Sequence, residues 1–120
     1  MIVYQDGACT AEMVEDGAMI GQIRIAPRQE AATLMDLSEE VSTHLFFVAS
    51  FAATAVFEGL GAQGTNILVR EGNAIEVVVV PRMEGDGLRL FWDAQRAEPA
   101  KLDSVAAKLK DSFFYVGKEV

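Results

Sequence analysis

The chain of 120 residues has one histidine, His44, and one cysteine, Cys9. A cluster of histidines is therefore impossible, and so is a zinc site with several imidazoles. A lone cysteine cannot form an internal disulfide or a cysteine-rich metal site. Cys9 reads as a small, half-buried strand residue, and no metal or cofactor is expected. Basic residues are also scarce: four Lys and six Arg stand against 18 acidic residues, for a net charge of −8. Binding of DNA or RNA depends on Lys and Arg neutralising phosphates, so a nucleic-acid partner is not expected. Long apolar runs are absent as well. The longest, Leu45 to Phe57, has 13 residues, short of the roughly 18 that mark a membrane span. The N-terminus MIVYQDG has no basic segment followed by an apolar one. These absences lead to the expectation of a soluble cytoplasmic protein with no membrane partner.

What is present is a single core's worth of apolar residues, 51% of the chain, and one domain spanning 1–120 is expected. Strands are expected at Met1 to Gln5, Ala8 to Val14 and Met19 to Ala26, with turns at Asp6-Gly7 and Glu15-Asp16-Gly17. Pro27 should end the third strand. A long helix should open at Asp36, capped by Asp36 with Glu39, and stop at Gly59 and Gly61. Val41, Leu45, Val48, Ala49, Ala52 and Val56 share one helical face. Phe47 and Phe51 fall on another, beside Phe46 and Phe57, so more than one stripe needs cover. Two further strands, Thr65 to Val69 and Ile75 to Val80, should form a hairpin around Glu71-Gly72-Asn73. Apolar residues on both faces of Val77 to Val80 imply burial on both sides. Leu88 to Trp92 is a candidate short extended segment, with Trp92 packed in the core or at an interface, or exposed for recognition. Pro99 should precede a last helix, Ala100 to Phe114. The result is an α+β fold: an antiparallel sheet of about five strands, one long helix and a C-terminal helix.

Several segments, in this order and spacing, resemble the histidine triad family of nucleotide hydrolases and transferases. They are GQIRIAPR (Gly21 to Arg28), Asp36-Leu37-Ser38-Glu39-Glu40, Gly64-Thr65-Asn66-Ile67, Pro81-Arg82 and EGDGLRLFW (Glu84 to Trp92). The resemblance implies that family's fold, and a homodimer that pairs helices and edge strands across a two-fold axis. It also implies what is missing. The family carries H-x-H-x-H just before its Pro-Arg pair, and the middle histidine attacks an α-phosphorus. Counting back from Pro81-Arg82, this chain has Ala74, Glu76 and Val78. The phosphate-wrapping loop before the triad is reduced to Gly72-Asn73. A carboxylate can act as a nucleophile, but Ala74 and Val78 cannot orient it or protonate a leaving group.

Glu76, Asn66 and Arg82 are the candidates for a remnant site, with no catalytic residue assigned. Glu76 reads as a solvated strand-end carboxylate or as a ligand or interface contact. Arg82 reads as paired with a nearby carboxylate or as a phosphate contact. His44 reads as a surface histidine beside Glu40. Phe47 and Phe51 are the candidates for a dimer interface. The expected role is a non-catalytic, homodimeric structural or interaction module, with an unidentified protein partner possible. The alternative is a nucleotide or small-molecule binding protein with weak or altered phosphohydrolase or nucleotidyl-transfer activity.

Overall fold

The structure is a computed structural model that describes residues 1–89 and 93–115. Close contacts divide the chain into two units, Met1–Leu88 and Arg89–Val120. The first holds an antiparallel sheet of five strands: β1 (Ile2–Gln5), β2 (Cys9–Met13), β3 (Ile23–Pro27), β4 (Gly64–Arg70) and β5 (Glu76–Arg82), in the order β1-β2-β3-β5-β4. The long helix α1 (Glu39–Leu60) lies between β3 and β4 in sequence. The second unit contains the helix α2 (Pro99–Tyr115), one residue longer at each end than the sequence pattern indicated. Its apolar stripe of Leu102, Val105, Leu109 and Phe113 is exposed. The chain is thus α+β, an antiparallel sheet with two helices, as the residue pattern indicates. Trp92, with most of the extended segment expected around it, lies outside the described residues.

One face of the sheet is the α1 face. Register pairs Ile25 with Val77 and Ile23 with Val79 across β3 and β5, and residues directly opposite share a face. Leu45, Val48, Ala49, Ala52 and Val56 of α1 are buried and join Cys9, Ala11, Ile23, Ile25, Ile75, Val77 and Val79 in one apolar cluster. By length and hydropathy alone this 22-residue helix could cross a membrane, although its longest uninterrupted apolar stretch is shorter. Here its buried stripe lies on the sheet. All of Val77, Val78, Val79 and Val80 are buried, so β5 is covered on both faces as its sequence implies.

Most element ends differ by a residue or two from the sequence reading, and three differences have a clear physical cause. The helix cap lies two residues later than expected, at Ser38 and not Asp36: the Ser38 hydroxyl accepts from the Val41 amide at 3.1 Å. Asp36 instead closes a single 3₁₀ turn, accepting from the Thr33 amide and hydroxyl at 3.1 and 2.9 Å. At the other end, Gly61 is the stop, with φ +70° and its amide on the Phe57 carbonyl, whereas Gly59 is inside the helix. A left-handed residue in that position is the usual reason for glycine there. The third strand starts at Ile23 and not Met19, and Pro27 is its last paired residue, opposite Cys9. Gly21 just before it has φ +92°, and a methyl group there would run into Leu60.

Candidate functional site

The remnant-site candidates lie on the face of the sheet that points away from α1. On that face β5 presents Glu76, Val78, Val80 and Arg82 in turn, as two-residue alternation requires. The structure does not bring the three candidates together. Glu76 and Arg82 are at opposite ends of the strand, roughly 20 Å apart at 3.3 Å per residue, and each end has its own polar arrangement.

At the Glu76 end, register aligns Glu12 with Arg24 across β2 and β3, Arg24 with Val78 across β3 and β5, and Arg70 with Glu76 across β4 and β5. The long side chains then reach diagonally into one ladder. Arg70 Nη2 is 2.6 Å from Glu76 Oε1, Arg24 Nε is 3.6 Å from Glu76 Oε2, and Arg24 Nη2 is 3.2 Å from Glu12 Oε1. Two carboxylates thus face two guanidinium groups across four strands, and the Met1 ammonium also lies 3.9 Å from Glu12 Oε1. Glu76 is not a solvated strand-end residue. Its side chain is 20% exposed and held between two arginines. Both oxygens of this carboxylate already interact with cations. Val78 beside it is 2% exposed and carries no polar atom into the site.

The link from β4 to β5 also differs from the expected two-residue turn. Strand β4 ends at Arg70 and β5 begins at Glu76, with Glu71 to Ile75 between them. Ala74 is exposed and outside the strand, so it does not share a strand face with Glu76. The loop is tied to the segment before the 3₁₀ turn: the Gly72 and Ile75 amides donate to the Ala32 and Ala31 carbonyls at 3.3 and 2.9 Å. The Leu34 amide donates to Glu71 at 2.6 Å.

At the other end, Arg82 and Asn66 do meet. Arg82 Nη1 donates to Asn66 Oδ1 at 2.6 Å. The rest of the guanidinium is committed to the following loop: Nε and Nη2 grip Asp86 at 2.7 and 3.0 Å, and Nη2 also reaches the Leu88 carbonyl at 2.9 Å. Asp86 accepts in addition from the Met83 and Leu88 amides at 3.0 and 2.9 Å. The Arg82 guanidinium and the two amides hold the Asp86 carboxyl far below the usual carboxylate range, and the same pair raises the Arg82 pKa. This is a bidentate clamp that shapes residues 82–88, and it leaves Arg82 little capacity for a phosphate.

A third polar arrangement was not legible in the sequence. Asp6, in the turn between β1 and β2, accepts from the Ala8 and Cys9 amides at 2.8 and 2.9 Å through Oδ1. Its Oδ2 accepts from the Tyr4 hydroxyl at 2.7 Å and lies 2.7 Å from His44 Nε2. His44 is therefore no ordinary surface histidine; it joins α1 to the β1–β2 turn across 38 residues of sequence. Asp6-Gly7 was readable as a turn, but its partner on the helix was not. Hydrogen bonds from Tyr4, His44 and Ala8 hold the Asp6 carboxyl well below the usual range. Burial, followed by the Asp6 charge, pushes the Cys9 thiol up to about 11. Cys9 is fully buried, not half-buried.

Phe47 and Phe51 continue from His44 along the same flank of α1. Both are about half exposed, and their rings are 4.5 Å apart, centre to centre, at 59°. Phe51 lines an apolar hollow of about 400 Å³ with Val3, Tyr4 and Met13. Phe46 and Phe57, also exposed, lie on the opposite flank by helical spacing.

No protein-family model and no curated protein sequence matches the chain. Solved structures do. A HIT family protein from Bacillus anthracis is 21% identical over 92% of this chain and 86% of that one, with a TM-score of 0.83. The histidine triad nucleotide-binding protein from Candida albicans is 17% identical over 96% of this chain and 89% of that one, with a TM-score of 0.79. A zinc-bound histidine triad family protein from Mycobacterium smegmatis is 28% identical over 92% of this chain and 86% of that one, with a TM-score of 0.69. The likeness extends along nearly the whole of each chain, and what it establishes is architecture: this chain has the histidine triad fold.

Proposed function

We propose that this protein uses the histidine triad fold without its nucleotide-transfer chemistry, as a homodimeric, cytoplasmic structural or interaction module. The observation that carries the reading is the Glu12–Arg24–Glu76–Arg70 ladder. Counting back from Pro81-Arg82, Glu76 occupies the position of the family's attacking histidine, and it is neutralised by two arginines. Its neighbours in the expected triad, Ala74 and Val78, supply no proton donor. Arg82, the nearest cation on that face beyond the ladder, is already bonded to Asp86, Asn66 and Leu88. Among the described residues, Arg24, Arg70 and Arg82 on this face are each already paired with a carboxylate, which argues against the nucleotide binding by which the Candida albicans protein is named.

The homodimer is supported by apolar surface. Phe46, Phe47, Phe51 and Phe57 of α1 and Ile67, Leu68 and Val69 of the edge strand β4 are all exposed in the single chain, a liability for a monomer. Symmetric pairing is the commonest way to cover such a surface.

The test of the catalytic reading is hydrolysis of adenosine phosphoramidate by the purified chain. Product release should not exceed a protein-free blank. Turnover above the blank that disappears in Glu76→Gln would overturn the reading and make Glu76 a nucleophile. Light scattering tests the assembly: the mass should be twice the 13.0 kDa of one chain. A 13.0 kDa species at micromolar concentration removes the homodimer, whereas an unchanged dimer mass after Phe47→Asp with Phe51→Asp removes these two phenylalanines from its interface.

A further inference from the structure

Of the three polar arrangements in the first unit, two are closed on themselves. The ladder pairs each carboxylate with arginine, and the Arg82–Asp86 clamp engages both carboxylate oxygens and all three guanidinium nitrogens. The corner at Asp6 is different. A carboxylate oxygen of Asp6, the thiol sulfur of Cys9 and an imidazole nitrogen of His44 all lie within 4.8 Å of one another. These are three different ligand types, drawn from a tight turn, the first residue of β2 and the second turn of α1.

The donors are held before any ion arrives. The Ala8 and Cys9 amides fix Asp6 Oδ1, which leaves Oδ2 directed at His44. The Tyr4 hydroxyl donates to the same Oδ2 at 2.7 Å, and Arg28 Nε bonds the Asp6 carbonyl at 2.6 Å, fixing the turn. Outer partners of this kind set the orientation and basicity of metal ligands. Asp6 and His44 are only partly buried and border an open hollow also lined by Ser38, Glu39, Glu40 and Phe47. A fourth position would therefore face solvent, and two carboxylates at the mouth add to a field that favours cations.

We propose that Asp6, Cys9 and His44 form a binding site for one divalent transition-metal ion of the zinc class, with its fourth coordination position open to this hollow. Mixed sulfur, nitrogen and oxygen ligation suits Zn²⁺ or Co²⁺ and not the oxygen-seeking Mg²⁺ or Ca²⁺. Zinc bonds of about 2.0–2.3 Å place tetrahedral ligands roughly 3.3–3.7 Å apart. The Asp6–His44 pair must open from 2.7 Å by well under 1 Å, and the sulfur must close by about 1 Å, side-chain adjustments that need no change of fold. On binding, the Cys9 thiol releases its proton to solvent and sulfur bonds the ion. His44 then bonds through Nε2 and carries its ring proton on Nδ1.

Cobalt is the direct probe, because a Co²⁺–thiolate bond absorbs where the free ion and the protein do not. The purified, metal-free full chain should bind one Co²⁺ per chain, develop a thiolate-to-cobalt charge-transfer band, and lose that band to Zn²⁺ but not to Mg²⁺ or Ca²⁺. Cys9→Ser should abolish the band. His44→Gln, at a partly exposed position that tolerates the change, should weaken Co²⁺ binding at least tenfold while far-ultraviolet circular dichroism stays that of the parent. Should Cys9→Ser fail to fold, His44→Gln decides alone. Absence of the band in the folded parent at millimolar Co²⁺ overturns the proposal and leaves Asp6–His44 a hydrogen-bonded staple. Unchanged affinity in His44→Gln overturns it equally, by locating the ion elsewhere.

Discussion

The two faces of the sheet in this protein are stabilised in different ways, although β5 contributes alternate residues to both. Toward α1, Val77 and Val79 pack with Ile23, Ile25 and Leu45 in a cluster with no charged member. Away from α1, the same strand carries Glu76 and Arg82 at its ends and Val78 and Val80 between them. The first face depends on apolar area removed from water, which is large and non-directional. The second adds to the buried Val78 and Val80 a ladder of charges that is only partly withdrawn from solvent, and such charges contribute little net stability however well they pair. Disturbing the first face should therefore cost much more than disturbing the second. The second face, where family chemistry would be sited, is the one free to change its residues without losing the fold.

The strongest test of that comparison is Leu45→Ala. Leu45 is fully buried against the sheet, and truncating such a leucine removes transfer energy and leaves a cavity, together about 2–5 kcal/mol. Denaturant unfolding with an unchanged slope should show a loss of that size. A loss below about 1 kcal/mol would mean that α1 does not cover this face as described, and the comparison would fail.

The Arg82–Asp86 clamp is the part of the far face that should matter most, because one carboxylate there holds a guanidinium and two loop amides. The Asp86 pKa is lowered from the ordinary 3.8. A lowered folded-state value means that the ionised form is favoured in the native protein. Its contribution is thus present above pH 3.8 and is lost as pH falls below that value. Thermal melts should show Asp86→Asn less stable than the parent at neutral pH, with the gap narrowing as the pH is taken below 3.8. A gap that stays constant across that range would mean that the carboxylate charge is not what holds the loop.

The sequence made the core face legible because its signals are local. Runs of β-branched and apolar residues mark β4 and β5, and the spacing of Leu45, Val48, Ala52 and Val56 marks the buried side of α1. Where two local signals competed, the reading went wrong. Asp36 with Glu39 has the spacing of a capping box, but Ser38 also precedes an acidic first turn, and the 3₁₀ turn takes Asp36 for itself. The far face was not legible. Glu12, Arg24, Arg70 and Glu76 become a ladder only when three strand registers are known, and registers are long-range facts. The Asp6–His44 pair was hidden for the same reason: the turn dipeptide is visible, but its partner is 38 residues away.

Ser38→Ala distinguishes the two candidate caps directly. Loss of an N-cap hydroxyl costs about 1 kcal/mol, and Ser38 accepts from the Val41 amide. Asp36→Ala should cost less, because it loosens only an exposed 3₁₀ turn. The reverse order in urea unfolding would restore Asp36 as the helix cap and shift the start of the core-facing helix.

The smallest effect expected is also the most informative about the far face. Glu76→Gln removes the charge that Arg24 and Arg70 share, while Glu12 still pairs with Arg24. Arg24 and Glu12 are more than one-third exposed, so water screens what remains, and partly exposed pairs contribute about 0.2–1 kcal/mol each. The stability change should fall in that range and shrink further at high salt. A double-mutant cycle with Arg70→Gln isolates the close pair, where the coupling should be largest because Arg70 is 2.6 Å from Glu76 and Arg24 is 3.6 Å away. Coupling of several kcal/mol would place Glu76 in a drier site than its 20% exposure implies, and the sheet's two faces would then differ less than their chemistry suggests. Coupling near zero would mean the ladder is held by strand register alone, leaving Glu76 available to a ligand and reopening the remnant site.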